Sequence, residues 1–107
     1  MRAPVLLFAL SVLCIGCGAR ADEAPGRLVF ERWCAPCHAS GPGHPGTAAL
    51  AAVYKGARPG ALEQRTDLSG EVVRAAVRHG VFSMPPFRKT EISDAELDAL
   101  VVYLTHH

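Results

Sequence analysis

Trp33-Cys34-Ala35-Pro36-Cys37-His38 is the stretch around which the rest of the chain reads. Two cysteines separated by two residues and followed at once by a histidine form the C-x-x-C-H pattern of c-type haem attachment. On one helical turn Cys34 and Cys37 share a face, so both thiols reach the vinyl groups of one porphyrin. His38, four residues after Cys34, then offers an imidazole nitrogen to the iron.

Working outward, residues 25 to 37 predict the first helix. Pro25 suits a first turn, and Gly26, Val29, Phe30, Trp33, Cys34 and Cys37 recur at the spacing of one face. Ala39 to Gly46 carries too many glycines and prolines for regular structure. Thr47 to Tyr54 is alanine-rich and predicts a short helix, interrupted by Lys55-Gly56 and Pro59-Gly60. Ala61 to Leu68 shows no period. Ser69 can cap a helix running through Val72, Val73, Ala76 and Val77 to a stop at Gly80. An apolar loop follows, Val81-Phe82-Ser83-Met84-Pro85-Pro86-Phe87. Ser93-Asp94-Ala95-Glu96 is a capping box, and it opens a helix striped by Leu97, Leu100, Val101 and Leu104, with Tyr103 beside the stripe. No strand-like alternation of any length occurs, so the expected class is all-α.

The chain resembles the class I cytochromes c over nearly all of its length beyond residue 21. That family has a glycine and an aromatic eight and four residues before the first cysteine, a downstream iron-binding methionine, and a last helix bearing an aromatic. Gly26, Phe30, Cys34, Cys37, His38, Met84 and Tyr103 supply that order here. The resemblance implies a small fold of helices packed around one covalently bound haem c, held by Cys34 and Cys37. It implies that the last helix crosses the first near the glycine, with Tyr103 and Leu100 against Gly26 and Phe30. It also implies a proline carbonyl accepting the second ring N–H of the iron-bound histidine, for which Pro45 is the candidate and Pro42 the alternative. A bond of that kind orients an iron-bound histidine and raises its basicity.

A low-spin carrier needs a second axial ligand opposite His38. Past residue 21 Met84 is the chain's one methionine, and it precedes Pro85 in the Met-Pro pattern of the family. A soft thioether binds ferrous iron well and raises the reduction potential relative to two histidines. Met84 as a mere filler of a core gap is the plainer reading. His44 and His79 are rival ligands, His44 in the breaker-rich loop and His79 at a helix end, where an imidazolium suits the carbonyl dipole. His106 and His107 are terminal.

Length and composition bound what else is possible. With 107 residues there is room for one small domain. Arg2, the apolar run Val5 to Ile15 and the small-x-small site Ala19-Arg20-Ala21 read as a cleavable signal peptide over 1–21, leaving a domain at 22–107 and a periplasmic location. The run is roughly half the ~20 residues a transmembrane helix needs. Cys17 raises the alternative of a lipid anchor, although Cys14 stands where leucine is usual in that signal. After cleavage only Cys34 and Cys37 remain, so a many-disulfide framework is excluded. Nine basic against ten acidic residues remain, a net charge of −1 that does not point to nucleic acid. So small a domain needs a staple, and a covalent haem provides one.

Three other chemistries fit part of the pattern. Trp-Cys-x-Pro-Cys also marks thioredoxin-like oxidoreductases, where it follows a buried strand and opens a helix. Zinc would need a second ligand pair at short regular spacing, which His44 and His79 do not form. A gas-sensing or peroxidase-like haem protein would keep His38 and leave the other side open. The reading adopted is an exported one-electron carrier, not an enzyme, with His38 and Met84 on the iron. Arg78, Arg88 and Lys89 lie close to the Met84 loop in sequence and could rim it with positive charge. The stretches Gly46-Thr47, Ala49-Leu50, Tyr54-Lys55-Gly56 and Leu62 to Leu68 resemble small cytochromes found with flavin-dependent dehydrogenases of phenolic compounds, such as p-cresol methylhydroxylase and eugenol hydroxylase. That resemblance implies a flavoprotein partner.

Overall fold

A computed structural model describes residues 23–106. The expected signal peptide, its expected cleavage site and Cys17 lie outside the described residues, as does His107. Five α-helices carry the fold: α1 Ala24–Val29, α2 Ala35–His38, α3 Pro45–Tyr54, α4 Gly70–His79 and α5 Asp94–Thr105. A π-turn, Phe30–Cys34, joins α1 to α2 without a break, and a 3₁₀ turn spans Leu62–Gln64. Among the described residues the one β-type pairing is an isolated bridge between Val81 and Met84. The class is all-α, as expected.

The first helix begins at Ala24 and is not uniform. In the π-turn the Ala35 N–H reaches back five residues to the Phe30 carbonyl, which widens the turn by one residue. The single stripe expected through Cys37 is therefore interrupted: Cys34 is buried but Cys37 is exposed. Gly26 lets α1 and α5 approach, and Phe30 meets Tyr103 with ring centroids 5.7 Å apart. Behind this crossing Phe30, Ile92 and Leu100 are the largest fully buried side chains. Val73 and Val77 of α4 and Leu97 and Leu104 of α5 close the same cluster.

Local signals set the last two helices where the sequence put them. The Ser69 hydroxyl accepts from the Val72 N–H at 3.3 Å, and Gly80 ends α4 at φ +72°. At α5 both halves of the capping box form, Ser93 N–H to Glu96 at 2.8 Å and Glu96 N–H to Ser93 at 3.1 Å. The third helix starts two residues before Thr47, with Pro45 in its first turn, and Lys55 ends it in the left-handed region at φ 48°.

The periodless stretch after α3 is organised by one buried side chain. Arg65 is 5% exposed. Its guanidinium donates twice to Asp67, at 2.6 and 2.9 Å, and once to the Tyr54 hydroxyl at 2.8 Å. Arg58 meets the same carboxylate at 3.2 Å. A buried charge is tolerable only when paired and hydrogen-bonded, and here the pairing fastens the loop onto the end of α3.

Candidate functional site

Cys34 and Cys37 carry free thiols three residues apart, at the end of the first helical run, and His38 ends α2 directly after them. Burial, and behind it the neighbouring Cys37, pushes the Cys34 thiol up to about 11. Burial also lowers the His38 pKa, so the imidazole is held in the neutral form that ligates metals.

His38 is enclosed from the side of the following loop. A Cβ on Gly46 would stand 2.6 Å from its Cε1 and 2.8 Å from its Nδ1, so only a glycine lets the backbone lie flat against the ring. The buried Nδ1 has no hydrogen-bond partner. Among the described residues neither the Pro45 carbonyl, the expected acceptor, nor that of Pro42 accepts from it. Pro45 opens α3, and a first-turn carbonyl points along the helix axis toward the N–H four residues on.

The loop is instead tied down by contacts the residue pattern did not show. His44 Nδ1 lies 3.1 Å from the Pro36 carbonyl within the C-x-x-C segment, which occupies the ring considered as a rival ligand. The Thr47 hydroxyl donates to the Ala39 carbonyl at 2.8 Å, and the Gln64 amide donates to the Ser40 hydroxyl at 3.1 Å.

Met84 is half-buried and belongs to a tight turn. Val81 N–H donates to the Met84 carbonyl at 3.1 Å and Met84 N–H to the Val81 carbonyl at 2.9 Å. Gly80 backs this turn so closely that a Cβ would stand 3.0 Å from Pro86 N. Downstream, Phe87 N–H donates to the Val77 carbonyl at 2.7 Å. Arg78 donates to the Phe87 and Ile92 carbonyls at 3.2 and 2.9 Å. Phe87 also meets Trp33, the residue before Cys34, edge to face with centroids 5.8 Å apart. At the tip Phe82 is fully exposed and sits at φ +50°.

The basic rim is a correction. Arg78 pairs with Asp94 at 2.8 Å, Lys89 pairs with the same carboxylate at 2.8 Å, and Arg88 pairs with Glu91 at 3.3 Å. Three cations thus meet two carboxylates, leaving little net charge. The two cations beside Asp94 hold its carboxyl below its ordinary value, Lys89 foremost.

These features separate the chemistries. A thiol redox centre needs a depressed cysteine pKa at a helix start after a strand, whereas Cys34 is raised and ends a helical run. Among the described residues no three His, Cys, Asp or Glu side chains converge as a metal group. A haem fits: two unbridged thiols at the attachment spacing, and next to them a half-buried neutral histidine whose ring is clamped by backbone. His79, exposed at the end of α4, stays at the surface.

Comparison with known proteins agrees. Residues 21–104 match the family model described as Cytochrome C oxidase, cbb3-type, subunit III. Cytochrome c6 of Leptolyngbya boryana is 34% identical over 84 residues, covering 78% of this chain and 91% of that protein. No solved structure matches significantly. With the helical fold, the C-x-x-C-H segment and these two likenesses together, the chain belongs to the cytochrome c family, electron carriers built around one covalently bound haem c.

Proposed function

We propose that this chain is an exported, periplasmic one-electron carrier, with a signal peptide over 1–21 removed from a domain of residues 22–107. Cys34 and Cys37 would hold the haem covalently, and His38 and Met84 would ligate its iron. The observation that carries the reading is the pairing of the Cys34/Cys37/His38 segment with a Met84 turn braced on both sides. The bound group supplies a reversible one-electron change at iron. The residues keep both ligands in place in both oxidation states and limit water at the centre. Gly46 and the His44 contact fix the histidine side; Gly80, Phe87 and Arg78 fix the methionine side.

The partner we propose is a flavin-dependent dehydrogenase of phenolic compounds. Exposed Val81 and Phe82 beside a nearly neutralised rim favour apolar contact over charge steering. Among the described residues no helix is long and apolar enough to cross a membrane.

The test is the optical spectrum of the exported protein after acid–acetone extraction. Haem that stays with the protein, and a far-red sulfur-to-iron band that Met84→Ala abolishes, support the assignment. Covalent haem without that band would replace it with an open or bis-histidine centre. Absence of haem would overturn it.

A further inference from the structure

Trp33 immediately precedes Cys34, and Phe87 follows Met84 by three residues, so their edge-to-face contact joins the two segments that carry the proposed ligands. Trp33 lies in the π-turn beside Cys34: Cys34 is 8% exposed, while Trp33 is half-buried and packs on the cluster's edge.

Phe87 is fixed from three sides: its N–H on Val77, its carbonyl under Arg78, and its ring on Trp33. Between Phe87 and Met84 stand Pro85 and Pro86, whose φ angles are locked. The Trp33–Phe87 contact therefore anchors the far end of a short, stiffened segment that begins at Met84. At its other end Met84 is held by the bridge to Val81, behind which Gly80 leaves no slack.

We propose that Trp33 and Phe87 form a strut that positions Met84 against the iron and so sets the strength of the sulfur ligation. This rests on the His38/Met84 reading above. Both are positioning residues, since neither is placed on the iron. The strut holds the methionine-bound state against an open one, and an added ligand binds only the open fraction. Its apparent affinity rises in proportion to that fraction.

The experiment titrates imidazole into the ferric holoprotein and measures the reduction potential of the same samples. Trp33→Leu and Phe87→Leu each tighten imidazole binding at least roughly fivefold, weaken the far-red band and lower the potential. The double variant goes no further than the larger single change, because one contact is lost in both. The ring-preserving Trp33→Phe and Phe87→Tyr restore near-native values. Leu97→Ala, a core truncation in α5, serves as the control for general destabilisation. Leucine variants that match the control, or whose effects add, overturn the strut while leaving the ligand assignment standing. A wild-type protein without the far-red band overturns both.

Discussion

Gly26 of α1 lies so close to Tyr103 of α5 that a Cβ on the glycine would stand 2.6 Å from the tyrosine Cβ and 2.7 Å from the Ala99 carbonyl carbon. The obstruction includes backbone, which cannot rotate away. Gly26→Ala should therefore separate the two helices and loosen the Phe30–Tyr103 contact. We expect a loss of about 1–3 kcal/mol, the range for overpacking a filled core, read by denaturant unfolding of the holoprotein.

Gly46 has the same kind of importance for His38. A methyl group there would displace the imidazole or the start of α3. Gly46→Ala should shift the reduction potential and weaken the low-spin spectrum, whereas Gly56→Ala, at a glycine with nothing within 4 Å, should change stability alone through its positive φ. Potentiometric titration of both variants checks the contrast.

The Arg65 cluster predicts a pH dependence. Hydrogen bonds from Arg65 hold the Asp67 carboxyl below its usual value, so the folded chain binds that proton less readily than the unfolded chain. The stabilisation is complete above the ordinary carboxylate pKa of about 3.9 and disappears as pH falls through the lowered folded value. The stability difference between wild type and Asp67→Asn should be present at neutral pH and shrink as the pH falls below about 4. Arg65→Ala, which removes the hydrogen bonds to Tyr54 and Asp67 but leaves Asp67 exposed and paired with Arg58, should cost about 1–2 kcal/mol at neutral pH.

Phe82 stands at φ +50° with its ring in solvent, a backbone region costly for a bulky residue. Phe82→Gly removes that strain and no buried contact. We expect it to stabilise the protein by roughly 0.5–1 kcal/mol after the greater chain entropy of glycine is subtracted, with the spectrum unchanged. Thermal unfolding of the holoprotein measures this.

What the sequence made legible was local. Ser69, Gly80 and the Ser93/Glu96 box act within a few residues, so α4 and α5 could be placed closely, and the approach at Gly26 followed from the family likeness. What stayed hidden depends on partners far along the chain. Arg65 meets Tyr54 eleven residues away, and no period in Ala61 to Leu68 reports it; a buried-hub reading of Arg65-Thr66-Asp67 would have needed Tyr54 placed first. The π-turn departs from simple helical spacing as Phe30 and Trp33 take different tertiary neighbours. The basic rim was misread because Asp94 and Glu91, noted for capping or not at all, also neutralise it. His44 looked like a spare ligand until its contact with Pro36 showed the ring to be part of the loop's own brace.

α5 packs on α1 from some seventy residues further along the chain, and Cys34, in the π-turn that continues α1, is buried in the same core cluster as Leu97, Leu100 and Leu104. Until Ala99 and Tyr103 arrive, Gly26 and Phe30 of the helical run that bears Cys34 have no wall to lie against. Once the crossing closes, only 8% of that residue remains accessible. A sulfur enclosed in the packed core is reached most readily while that core is still open, so the order in which the core closes bears on any chemistry at this thiol.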